Sequence, residues 1–239
     1  MRVHSLLLWT FAISLPLSAQ AHRQWLLPSA TQVDAKEAWV TIDGAVSENL
    51  FEADSTALAL DGLTVIDPTG APVEPQNRSK GKMRSSFDLR LLQPGTYKIS
   101  VVSQNVMASY TLNGEPKRWR GAEDKMAQDI PAAARDVKVS RTYGRLETFV
   151  SSGKSSDTVL TASGQGLEIV PLGNPTEQFA GDSNRFRVVL DGKPLAGQVV
   201  SLIPGGVRYR GVLNEQTVMT NGEGEFVVQW PFAGMYWLN

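Results

Sequence analysis

Two histidines are present, His4 and His22. His4 lies in an amino-terminal segment built for removal. Cleavage after Ala21 would make His22 the first residue and the only imidazole of the mature chain. A terminal histidine carries two nitrogen donors, the α-amine and the ring. Their ordinary pKa values of about 8 and about 6.5 leave both open to a metal near neutral pH. Such nitrogens favour Cu(II) and Ni(II), then Co(II) and Zn(II). Two donors do not complete a coordination shell. Glu48, Glu52 and Asp54 cluster in a polar loop and are the secondary candidates, and Met83, Met107 and Met126 offer thioethers. The same residues also read as a cleavage-site or packing residue beside Trp25, a solvated turn and core filling.

Other chemistries are excluded or disfavoured. With no cysteine, the chain has no disulfide, thiolate zinc site, iron–sulfur cluster or Cys nucleophile. One mature histidine and no Gly-x-Ser-x-Gly elbow argue against a Ser–His–Asp triad. Gly164-Gln165-Gly166 lacks the third Gly and the Lys of a phosphate loop. A copper oxygenase with a terminal histidine would need a second one. No catalytic residues, and so no enzyme, are expected. A formal net charge of −1 argues against a nucleic-acid partner. Arg118-Trp119-Arg120, beside Lys117, is the one basic cluster holding an aromatic. It suits an acidic partner with cation–π support, or else a solvated loop whose Trp covers an interdomain seam.

Residues 1–21 read as a secretory signal peptide. Arg2 precedes an apolar run from Leu6 to Leu17, and Ala19-Gln20-Ala21 places small residues where a signal peptidase needs them. The run is shorter than the ~20 residues that span a bilayer. No Cys follows it to carry a lipid. Export without disulfides predicts a periplasmic protein with no membrane insertion after cleavage.

The elements that must position these residues read as all-β. Short apolar runs recur between Gly and Pro punctuation. Strands are predicted at Trp39–Ile42, Leu63–Ile66, Phe87–Leu91, Tyr97–Val102, Tyr110–Leu112, 137–142 and 145–150. A second set comprises Leu167–Val170, Phe186–Leu190, Val199–Ile203, Phe226–Trp230 and Met235–Leu238. Asp67-Pro68-Thr69-Gly70, Pro94-Gly95, Asp191-Gly192 and Asn221-Gly222 supply turns. Phe87, Leu89, Leu91, Gly95 and Tyr97 recur at a constant offset of 139 as Phe226, Val228, Trp230, Gly234 and Tyr236. One strand–turn–strand unit is therefore used twice. The expected architecture is two tandem Ig-like or transthyretin-like β-sandwich modules with a short helical or loop connection. The first module covers 22–150, with a loop or short-helix insertion at 113–136. A flexible linker follows at 151–165. The second module covers 166–239, and its last strand reads as truncated with an unpaired edge.

Several stretches together resemble a known family. They are His22-Arg23-Gln24-Trp25-Leu26-Leu27-Pro28-Ser29, Tyr110-Thr111-Leu112-Asn113-Gly114-Glu115 and Leu167 to Pro175, with Leu190-Asp191-Gly192-Lys193-Pro194, Pro204-Gly205-Gly206 and Gly234-Met235-Tyr236-Trp237. The set is similar to an exported family of unknown function described as a periplasmic component of cobalt/nickel-type transport. The second module, with Pro194 to Gly197 and Thr220 to Phe226, also resembles transthyretin-like or carboxypeptidase-regulatory-like sandwiches. The resemblance implies an accessory protein that binds or delivers nickel, cobalt or copper to a membrane transporter or outer-membrane receptor. His22 alone carries over as a ligand. Many relatives have further histidines downstream; this chain has none, and its loop Leu50-Phe51-Glu52-Ala53-Asp54-Ser55 offers carboxylates instead. The rival expectation is a metal-independent adaptor that docks on the same kind of partner through a strand edge or Arg118–Arg120.

Overall fold

The computed structural model describes residues 22–239, so the signal-peptide reading of 1–21 lies outside the described residues. In the first half the strands are β1 (Arg23–Pro28), β2 (Gln32–Val33), β3 (Ala38–Ser47), β4 (Thr56–Ala57), β5 (Leu63–Ile66), β6 (Gln76–Lys80), β7 (Ser85–Leu91), β8 (Gly95–Leu112), β9 (Glu115–Gly121) and β10 (Arg135–Ser152). A 3-10 turn and α1 (Met126–Asp129) separate β9 from β10. The second half holds β11 (Leu167–Pro171), β12 (Ser183–Leu190), β13 (Lys193–Pro194), β14 (Val199–Pro204), α2 (Val207–Arg210), β15 (Gln216–Met219), β16 (Glu225–Gln229) and β17 (Tyr236–Leu238). The chain is all-β and built of β-sandwich modules.

In the first module β1-β3-β7-β6 form one sheet and β2-β10-β8-β5 the other, with β4 added to β3 and β9 to β8. Alternate residues of β3 and β7, among them Val40, Ile42, Phe87 and Leu89, point inward against Val65, Tyr97, Ile99 and Val150 of the facing sheet. Phe87 and Leu89 are at most 1% exposed. In the second module β11-β12 with β13 and β16 face β15-β14-β17. Phe186, Val188, Val200, Leu202, Phe226, Val228 and Trp230 form its core, with Phe186 stacked on Phe226 at 5.4 Å.

The repeat at offset 139 is a structural repeat. In both modules a strand of one sheet crosses through a glycine to the other sheet and ends on a tyrosine. Tyr97 donates its hydroxyl to the Gln93 carbonyl at 3.0 Å and accepts from the Gln93 amide at 2.7 Å. Tyr236 does the same with Phe232, at 2.6 and 3.4 Å. Gln93 and Phe232 are themselves 139 residues apart. This is the tyrosine corner of Ig-like sandwiches. The corner glycines share a positive φ, 130° at Gly95 and 148° at Gly234, a backbone that L side chains rarely adopt.

Three expectations are corrected. The segment 113–136 is not only loop and helix: Asn113 (φ 52°) and Gly114 (φ 82°) make a tight turn, and β9 returns along β8 from Leu112↔Glu115 to Val106↔Gly121. Two positive φ values in a two-residue loop are the hairpin signature of Asn-Gly. The pairs of strands read at 97–102 with 110–112, and at 137–142 with 145–150, are single 18-residue strands, β8 and β10. Polar residues between them stay in the ladder because their backbones pair with each other. Finally, 151–165 is pinned rather than flexible. Ser151, the last residue but one of β10, is fully buried, and the Ser156 amide donates to Thr96 Oγ1 at 3.0 Å.

Asn174 joins that knot from the second half. Its Nδ2 donates to Thr96 Oγ1 at 2.9 Å and to the Ser156 carbonyl at 3.1 Å. Ser151 Oγ meets Thr96 Oγ1 at 2.8 Å and Thr176 Oγ1 at 2.7 Å. A second seam is apolar: Trp25, Ala45 and Leu50 of the first module pack with Ile203 and Trp237 of the second.

Candidate functional site

Strand β1 places the terminal residues. Leu26 enters the first core while its neighbour Trp25 enters the seam cluster. Trp25 Nε1 donates to Ser47 Oγ at 2.7 Å. From the second module, Trp237 Nε1 donates to the Gln24 carbonyl at 3.0 Å, and the Arg23 guanidinium lies 5.9 Å from the Trp237 ring centre. His22 therefore immediately precedes a strand held from both modules. Its side chain is about half exposed, and Nε2 lies 4.0 Å from Glu48 Oε1. A divalent ion binds such donors at about 2.0–2.2 Å each. That separation is spanned by one ion with nearly opposed donors, or closes to an adjacent pair with a small side-chain rotation.

Glu52 and Asp54 share the loop but are committed elsewhere. Asp54 accepts the amides of Glu48 and Asn49 at 3.1 and 2.9 Å and so shapes the loop itself. Glu52 Oε2 lies 3.7 Å from Arg208 of the second module. Met83, Met107 and Met126 belong to separate elements: the turn before β7, the middle of β8 and the start of α1. Among the described residues, no group of three or more His, Cys, Asp or Glu side chains is placed to hold a metal ion. The donor set therefore reduces to His22 and Glu48, with the α-amine as third donor if Ala21 is the cleavage point.

Arg118, Trp119 and Arg120 lie on β9, in a three-stranded arm where β9, β8 and β10 run on past the sandwich. Alternation puts Trp119 on one face and the two arginines on the other. Trp119 Nε1 donates to Asp129 Oδ2 at 3.0 Å, tying down α1. Arg141 ties the preceding turn through Glu123 at 2.5 Å. Arg118 and Lys138 flank Ser109 on the opposite face, and Arg120 and Ser140 flank Met107. Arg118, Arg120 and Lys138 make no ion pair among the described residues, although Arg120 donates to Asn105 Oδ1 at 2.6 Å. Trp119 thus covers the arm's own helix, not an interdomain seam.

Two features had no forecast from the sequence. The first is a charged cluster on the outer face of the β8–β10 sheet. Glu147 Oε1 lies 3.0 Å from Arg145 and 3.4 Å from Lys98. Arg145 also approaches Glu168 of β11 at 3.9 Å, and the Glu168 side chain is fully buried. Burial alone would raise the Glu168 pKa. Hydrogen bonds from Ser163 and the Gly164 amide, together with Arg145, outweigh it and hold the carboxyl below its ordinary value.

The second is a cleft of about 1140 Å³ between the modules. His22 and Arg23 stand on its wall, with β10 residues 143–149 on the same side. Phe186, Trp230, Tyr236 and Leu238 of the second core line the other.

A family model described as a domain of unknown function, DUF4198, matches residues 19–239. No curated protein matches the chain.

Proposed function

We propose, from the premise that this chain belongs to the DUF4198 family, that it is an exported accessory protein binding a divalent transition metal at its mature amino terminus. The observation that carries this reading is the approach of the His22 imidazole to the Glu48 carboxylate, beside a strand, β1, held from both modules. With the α-amine, the two side chains supply nitrogen, nitrogen and oxygen, a set that suits Cu(II), Ni(II) or Co(II). Glu52 and Asp54 are not ligands in this reading. The remaining coordination positions stay open to solvent or to a ligand from a membrane partner, so transfer proceeds by ligand exchange. Periplasmic location follows from the signal-peptide reading.

Calorimetric titration of the mature chain with Cu(II), Ni(II), Co(II) and Zn(II) tests it. Binding at micromolar or tighter affinity is expected. It should be lost in His22→Ala, weakened in Glu48→Gln and lost when one residue is added before His22. Unchanged binding in all three variants would overturn it.

The alternative is a metal-independent adaptor. The basic face of the arm, where Arg118, Arg120 and Lys138 make no ion pair among the described residues, supports it. Its partner binding would persist in His22→Ala and in the presence of a chelator, but fall in Arg118→Glu/Arg120→Glu.

A further inference from the structure

The arm built by β8, β9 and β10 sorts its charges by face. The Asn113-Gly114 turn sets β9 on β8 in the register Leu112↔Glu115, and alternation then decides which side chains share a face. Glu115, Lys117 and Trp119 fall on the face of Val106, Ala108 and Val139. That face is covered. Val106 and Ala108 are at most 3% exposed. Trp119 bonds to Asp129, and Arg141 to Glu123, which ties the segment between β9 and β10 over it. Glu115 is paired as well, with Lys117 at 2.7 Å.

The opposite face is cationic. Arg118 and Lys138 flank Ser109, Arg120 flanks Met107, and Arg135 lies beside Thr111. All four cations are exposed. They make no ion pair among the described residues, and Arg120 alone makes a side-chain hydrogen bond, to Asn105. No Asp or Glu holds a paired position on this face. Asp136 sits in the bulge opposite Tyr110, a residue of the covered face.

Strand geometry spaces these cations. Neighbouring strands lie about 4.8 Å apart, so Arg118 and Lys138, two strands apart, are about 10 Å from each other. Arg118 and Arg120, two residues apart, are separated by about 7 Å. Cations so placed do not converge on one anion. They match separate anions spread over a flat surface. The side chains between them are serine, threonine and Met107, which is 46% exposed. Protein–protein interfaces are depleted in charge at their core and enriched there in aromatic residues. This face has a basic centre and no aromatic at a paired position, so it suits a layer of anions better than a folded partner.

We propose that the basic face of the arm seats the protein on a membrane surface rich in anionic phospholipid. Arg118, Arg120, Arg135 and Lys138 meet separate headgroup phosphates through charge-assisted hydrogen bonds, and the hydroxyls of Ser109 and Ser140 lie between them. The contact is peripheral and reversible, because Met107 is the one large apolar side chain on this face. Each basic residue near an anionic leaflet strengthens binding about fivefold. This seating goes beyond both readings of function and rests on neither: a metal carrier and an adaptor alike would be held at a membrane.

Sedimentation with unilamellar vesicles tests it. The probes are vesicles of phosphatidylcholine alone and of phosphatidylcholine with about one-third phosphatidylglycerol. The chain without its signal segment is used with a chelator present, so that no metal at His22 bridges to phosphate. It should bind the anionic vesicles at least tenfold more tightly than the neutral ones. Binding should weaken as salt rises, since the surface potential is screened within a Debye length, about 8 Å at physiological ionic strength.

Lys138→Gln should weaken binding about fivefold, and Arg118→Glu/Arg120→Glu by more than about twentyfold. Lys117→Gln removes the same charge from the covered face and should change binding by less than about twofold. All these positions are exposed, and unchanged melting temperatures show that the variants fold. Equal binding to the two kinds of vesicle overturns the proposal. So does an equal loss in Lys117→Gln and Lys138→Gln, which would make the attraction a matter of net charge. Poly-glutamate separates lipid from an acidic protein. If it displaces the chain at a carboxylate concentration below that of the accessible lipid phosphate, the occupant is an acidic protein segment and the lipid assignment fails. His22→Ala should leave vesicle binding as it was, so failure of the metal reading does not touch this result.

Discussion

The two sandwiches use the same corner to different ends. In the first, Tyr97 is sealed by β10, and the strand pair β8–β10 runs on beyond the core to form the arm. In the second, Tyr236 makes the same two hydrogen bonds, while its strand pairs among the described residues with β14 alone. The corner geometry is the same in both. Its hydrogen bonds are local, closing on a carbonyl and an amide four residues back, whereas sealing the core needs a strand from elsewhere in sequence. The closed module supplies rigidity and the base for β1. The open one supplies surface.

The sharpest way to break this contrast is to delete equivalent core rings. Phe87→Ala removes a side chain 1% exposed and should cost about 3–5 kcal/mol. Phe226→Ala, at the repeat-related position, should cost about 2 kcal/mol less. The neighbouring Phe186 and Trp230 border the cleft and can relax into it, and the cavity penalty depends on how well a site collapses. Urea unfolding with both variants gives the difference. Equal costs would mean that the second core is as closed as the first.

The next effect is at the polar seam. Asn174→Ala leaves Thr96 Oγ1 and the Ser156 carbonyl short of a buried donor, which should cost about 1–3 kcal/mol. If the seam holds the modules together, the loss appears as a second unfolding transition in calorimetry. A single transition shifted to lower temperature would instead make the seam part of one cooperative unit.

How much of this was legible in the sequence differs between backbone and site. Strands such as Phe87–Leu91 and Phe226–Trp230 were readable because one face is buried and alternation follows. β9 was not read because five of its seven residues are Glu, Pro, Lys and Arg with no apolar alternation. Its signal was the Asn113-Gly114 turn, which fixes a returning strand whatever that strand's side chains. The offset-139 repeat was visible as letters; that its two tyrosines close the same pair of backbone hydrogen bonds is a matter of geometry, which a residue list does not carry. At the candidate site, His22 was legible from its place after the cleavage point. The commitment of Asp54 to two amides and of Glu52 to Arg208 was not. Spacing places three carboxylates in one loop; only the loop's own hydrogen bonds decide which of them is free.

A smaller effect tests the charged face shared by the modules. The folded pKa of Glu168 lies below its ordinary value of about 4.5. The carboxylate therefore stabilises the fold fully above that pH, and the contribution is lost as pH falls through the folded value. Glu168→Gln should be less stable than the natural chain by about 1–3 kcal/mol near neutral pH, and the two should converge in strong acid. Denaturant midpoints measured from pH 7 down to pH 3 give the profile. Parallel curves across that range would assign the loss to packing rather than to charge.

The smallest effect returns to the corners themselves. Tyr97→Phe and Tyr236→Phe each remove one hydroxyl that donates to a carbonyl and accepts an amide. At Tyr97 the ring is buried and its bonds to Gln93 are partly shielded from water, so the cost should be about 1–2 kcal/mol. At Tyr236 the amide contact is already long, at 3.4 Å, and water reaches the freed groups through the cleft, so the cost should stay below about 0.5 kcal/mol. Equal costs in the free chain would show that the hydroxyl acts through local turn geometry alone, and the open edge beside Tyr236 would have no bearing on it.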